Sequence, residues 1–114
     1  MSEKALDFEE FMNRVQDDKE LFFELLDIFV QDYHTKRKEL HEAVEQKNTE
    51  MVKQVAHFLK GSCGNISAKP MRAVFVRMEE KVSRGVWDFE QDLKDIDQKF
   101  EELVIEIGQL RQRL

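Results

Sequence analysis

The chain has 114 residues, 41% of them hydrophobic and 37% charged, with one proline, four glycines and one cysteine. That length can bury one core without staples, a lone cysteine excludes an internal disulfide, and so little proline and glycine leaves helices as the economical way to build. A net charge of −6 argues against a general nucleic-acid binder. No run approaches the ~18 apolar residues of a membrane span, and the acidic start Met1-Ser2-Glu3-Lys4 lacks a signal peptide's basic-then-apolar order, so a cytoplasmic protein is expected.

Asp7 with Glu10 three residues on makes a capping-box pattern, and Phe8, Phe11, Met12 and Val15 then recur at helical spacing. This predicts a short packing helix, a lid over one end of the core. Asp17 with Glu20 repeats the start signal, and the segment runs without a breaker to about Lys47. Phe22, Leu25, Leu26, Phe29, Tyr33, Leu40 and Val44 trace its stripe, while Leu21, Phe23, Ile28 and Val30 make the first half apolar on nearly every side. A helix of that kind is covered from more than one direction.

Asn48 or Thr49 caps the next helix, which is read over about 49–67. At about 100° per residue, Val52, Val55, Ala56, Leu59, Cys63 and Ile66 fall into one apolar stripe. His57 projects about 140° from Val52, with Lys53 and Lys60 on one flank and Gly61 and Gly64 close to its own line. The exposed face therefore carries an imidazole, two cations and two places with no side chain. Each glycine inside a helix costs about 1 kcal/mol relative to alanine, and neither sits where helices would meet, so something outside should need the room. Cys63 lies on the apolar stripe and reads as a small buried hydrophobe rather than a reactive thiol. Phe58 and Met51 lie a helix flank away from His57, as the edge of the core or as an apolar contact for a partner.

Ser67 can cap the fourth segment, with Pro70 in the first turn, where its missing N–H does little harm. Met71, Val74, Phe75, Met78 and Val82 form the stripe of that segment, Glu79 stands at its edge, and Arg84-Gly85 reads as a helix end with a left-handed cap. Asp88 or a neighbour opens the last helix, where Phe89, Leu93, Ile96, Phe100, Leu103, Val104, Ile107 and Leu110 keep a three-and-four spacing. Four long amphipathic segments with short connectors predict an all-α fold, an antiparallel up-down four-helix bundle with a short extra N-terminal helix, as one domain over residues 1–114.

Residues 49–87 hold seven basic side chains, Lys53, Lys60, Lys69, Arg72, Arg77, Lys81 and Arg84, against Glu50, Glu79 and Glu80, which is net +4 and leaves −10 for the rest. That region contains His57. It reads either as a solvated, charge-mixed surface or as an attraction for a partner whose active site is a cluster of carboxylates. His34 and His41 share a helix face, but no Glu-x-x-His pair accompanies them as a di-iron bundle needs. Nothing resembles a nucleotide-cradling loop, since the Gly61/Gly64 pair is too sparse and no G-x-x-x-x-G-K-[ST] run occurs. No metal or cofactor is expected on this chain.

Ala56-His57-x-Leu59-Lys60-Gly61-Ser62, followed by Asn65-Ile66 and Ala68, closely resembles the signature of histidine-containing phosphotransfer (HPt) domains. The resemblance extends to size and helical layout over essentially the whole chain. It implies that His57 accepts a phosphoryl group from a receiver-domain aspartate, or from a sensor histidine kinase, and passes it to a response-regulator receiver. It further makes Lys60 the nearby cation, Gly61 and Gly64 the clearance for docking, and Glu79 the acceptor on the far nitrogen of the ring. The receiver would bring Mg²⁺ and a lysine of its own. A relay intermediate without turnover of its own is thus expected; the alternative is a binding-only bundle that docks on a kinase or receiver and regulates it without carrying phosphate. Two positions depart from the usual pattern: Cys63 stands for a serine or other small residue, and Ser67 for the glycine common before Ala68. The second departure bears on the helix end and on a partner's approach.

Overall fold

The computed structural model describes residues 4–114, so Met1, Ser2 and Glu3 of the acidic start lie outside the described residues. Among those described, five helices and no strand occur: α1 Phe8–Arg14, α2 Lys19–Glu45, α3 Thr49–Asn65, α4 Lys69–Ser83 and α5 Glu90–Arg113. The four long helices pack in sequence, α2 on α3, α3 on α4 and α4 on α5. The ring closes where Tyr33 of α2 stacks on Phe100 of α5, with centroids 4.1 Å apart, beside the Arg37–Asp97 ion pair at 2.6 Å. This is the expected antiparallel bundle with a short fifth helix.

Each stripe read from spacing faces one core, in which Phe22, Leu26, Leu40, Val52, Leu59, Phe75, Met78, Ile96 and Leu103 are buried. Removing this apolar surface from water is the main drive for packing the helices. Val104 is a correction: it is exposed, because it lies about 80° round α5 from Ile96, on the shoulder of the stripe. The lid reading of α1 holds, with Leu6 and Phe11 fully buried and Phe11 4.8 Å from Phe22 between ring centroids.

Two cap readings change. Asp18, not Asp17, caps α2 through Leu21 N at 3.0 Å, while Asp17 takes a left-handed turn conformation. The last helix opens at Phe89, the neighbour of Asp88, as read from sequence, and no side chain caps it. Ser67 does not cap α4, whose N-cap is Ala68; instead α3 ends at Asn65, two residues short of the range read from sequence, and Ser67 follows its C-cap Ile66 with φ +60°. Its N–H bonds Gly64 O at 3.2 Å and that of Ala68 bonds Cys63 O at 2.9 Å. This is a Schellman ending with serine in the place where glycine is usual.

Candidate functional site

The apolar side of α3 is driven into the core by Val52, Val55, Ala56, Leu59 and Cys63, all buried. His57 therefore points outward, midway along the helix, with its side chain 74% exposed. Its Nδ1 lies 3.0 Å from Glu79 Oε1. A carboxylate only accepts, so Nδ1 carries the proton and Nε2 keeps its lone pair toward solvent. Glu79 reaches it from α4, where it sits beside the fully buried Met78 at the edge facing α3.

The second oxygen of Glu79 accepts from Lys60 Nζ at 2.9 Å. Lys60 and Glu79 are about three-quarters buried, at 24% and 23% exposure. Burial pushes the Glu79 carboxyl up, but the hydrogen bonds from Lys60 and then His57 outweigh it and hold the group below its ordinary range. Lys60 is thus not a free cation beside the imidazole. Its spacing from His57 was legible, but where a flexible ammonium ends was not.

Around this triad the surface is uneven. A Cβ at Gly61 would meet nothing within 4 Å, whereas one at Gly64 would touch the Arg72 side chain, at 3.5 Å from Nε. On the α2 side, Phe58 is 43% and Met51 39% exposed, so both belong to the surface rather than to the core edge; Lys36 Nζ lies 4.7 Å from the Phe58 ring centre. On the α4 side, a groove runs from His57 past Lys53, Val76 and Val82 to Ser83.

The basic stretch is largely structural. Lys60 holds Glu79, Lys69 holds Asp7 and Glu10, Arg77 holds Asp92 and Asp95, and Lys81 holds Asp92. Of its seven cations, Lys53, Arg72 and Arg84 have no carboxylate partner among the described residues. His34 sits edge-on to Phe100 at 5.3 Å, and the His41 imidazole is pushed down by burial and then by Arg37. Among the described residues no three His, Cys, Asp or Glu side chains gather as metal ligands would, and no helix is long and apolar enough to cross a membrane. Burial pushes the Cys63 thiol up to about 12, which leaves it protonated and unreactive at neutral pH.

A helical bundle that holds an exposed imidazole in one tautomer, at the edge of an open groove, defines a class of site that another macromolecule can reach. The family model for the Hpt domain matches residues 24–113, and the chain belongs to that family, whose role is histidine phosphotransfer in two-component phosphorelays. The crystal structure of histidine-containing phosphotransfer protein B (HptB) from Pseudomonas aeruginosa PAO1 is similar at 27% identity, covers 99% of both chains and superposes with a TM-score of 0.76. No curated protein matches.

Proposed function

We propose that His57 is the residue that carries the phosphoryl group. The observation behind this is the outward ring anchored at Nδ1 by Glu79 at 3.0 Å, which leaves Nε2 as the nucleophile. The Nε2 lone pair attacks the phosphorus of an aspartyl phosphate on a receiver domain. An N–P bond forms, the P–O bond to the aspartate breaks, and the electron pair leaves with the carboxylate. The ring becomes cationic while Nδ1 keeps its proton, and the Glu79 carboxylate stabilises that charge. Transfer onward to a second receiver reverses the steps.

In this reading Lys60 acts through Glu79, and Gly61 leaves the space into which a receiver's active site descends. The receiver supplies Mg²⁺ and its own lysine; this chain contributes a positioned imidazole and no turnover of its own. The setting is the cytoplasm, and the donor is a receiver or a sensor histidine kinase. The test is incubation with phosphorylated receivers of the host. Wild-type protein should take up a label that is acid-labile and base-stable, and His57→Gln should take up none. Labelling of the variant at the wild-type rate would overturn the assignment.

A further inference from the structure

Helix α4 carries four cations, Lys69, Arg72, Arg77 and Lys81. Three of them hold carboxylates at 2.9 Å or less, whereas Arg72, in a chain with 24 acidic residues, holds none among the described residues. It is exposed, and its side chain lies beside Gly64 of α3, where an added Cβ would sit 3.5 Å from Nε and 3.7 Å from Cδ. Gly64 lies seven residues beyond His57 close to the same line, about 10.5 Å along the helix at 1.5 Å per residue. Of the two glycine positions on the face of the imidazole, one is open and the other is bordered by the Arg72 side chain. A side chain at position 64 longer than a methyl would lift it.

We propose that Arg72 is the docking cation of this surface, and that it receives an acidic side chain on the rim of the partner receiver's carboxylate cluster. The inference rests on the phosphotransfer reading above. Lys60 cannot serve, because withdrawing its ammonium from Glu79 would strip a largely buried carboxylate of its partner. Lys53 is also free of carboxylate partners, but Glu50 and Glu80 line the groove beside it and offset its charge there. Arg72 lies at the other end of the face. A planar guanidinium offers a carboxylate two parallel hydrogen bonds, and a free charge at the rim acts on encounter more than on the chemical step.

The test uses the receiver that transfers fastest to wild-type protein when the host's phosphorylated receivers are profiled. Transfer is measured as a second-order rate and as a saturating rate, at low and high salt, for wild type, Arg72→Glu, Arg72→Gln, Lys53→Gln and Lys60→Gln. Arg72→Glu should lower the low-salt second-order rate about tenfold, Arg72→Gln less, and salt should close both gaps. The saturating rate and the His57 ring ¹⁵N spectrum should stay as in wild type. Lys60→Gln should instead change the ring spectrum and the saturating rate. An Arg72→Glu second-order rate within twofold of wild type at low salt would overturn the proposal. So would a loss that resides in the saturating rate or persists at high salt, or a larger effect from Lys53→Gln. Failure of wild-type protein to take label from any receiver would mark failure of the phosphotransfer reading itself, and this proposal would fall with it.

Discussion

Glu79 divides its two oxygens between His57 Nδ1 and Lys60 Nζ. The division serves two needs: a carboxylate alone on a partly buried edge would be costly to keep charged, and an imidazole without an acceptor would exchange tautomers. The stripe angle and the motif made His57 and Glu79 legible in the sequence, because backbone geometry fixes where a short side chain starts. They left Lys60 and Arg72 open, since long side chains reach several neighbours from one Cα. Glycine at position 61 has its own test. A Cβ there would meet nothing within 4 Å, and the same is true at Gly108 in the last turns of α5. Alanine should stabilise either helix by about 1 kcal/mol, read as a rise in the midpoint of urea unfolding. Only Gly61→Ala should also slow phosphotransfer, because only there does an incoming active site need the space. Equal transfer rates in the two variants would show that Gly61 is not docking clearance.

Helix ends were the least legible elements. Helices α1 to α4 end in left-handed residues, Gln16, Lys47, Ser67 and Gly85, and only the last has the residue that announces such a turn. At the end of α3 the reason is visible. Ser67 Oγ donates to Glu10 Oε1 at 2.8 Å, Asp7 N donates to Ser67 O at 3.0 Å, and Arg14 donates to the carbonyls of Gly64 and Asn65 at 2.9 and 2.6 Å. Lys69 closes the clasp on Asp7 and Glu10. The departure from glycine at position 67 therefore fastens α1 across the α3–α4 corner instead of altering the face around His57. Hydrogen bonds from Lys69 hold both carboxyls below their ordinary range, and Lys69 in turn is raised to about 12, first by Glu10 and then by Asp7. Groups lowered in the folded state stabilise it above their unfolded values and lose that contribution as pH falls through the lowered ones. As pH falls below the usual carboxylate range, α1 should thus loosen before the bundle unfolds. Amide exchange in α1 rising ahead of that in α3 is the expected result; simultaneous exchange would show that the clasp does not act locally.

Across the whole molecule, the helix order and the core were legible because every stripe repeats at three and four residues, whereas the cross-helix struts were not. The clearest case is Asp92, in the first turn of α5, whose side chain is 1% exposed and takes Arg77 Nε at 2.5 Å and Lys81 Nζ at 2.7 Å from α4. Spacing alone places it about 40° from Ile96, inside the core stripe, a position where an acid looks misplaced until its two partners are seen. With no side chain capping the start of α5, a carboxylate in the first turn also complements the helix dipole. Asp95, 27% exposed, shares Arg77 at 2.7 Å but stands in reach of water. Replacing Asp92 with alanine leaves the largely buried Lys81 ammonium with only the Asp88 carbonyl at 2.8 Å. The loss should be about 2 kcal/mol or more in urea unfolding, against less than about 1 kcal/mol for Asp95→Ala. His57 lies on the helix that α4 braces, so Asp92→Ala should also broaden the His57 and Glu79 resonances at temperatures where Asp95→Ala leaves them sharp. Equal stability of the two variants would mean that α4 is held to α5 by its apolar stripe alone, and that the buried carboxylate sets register without adding strength.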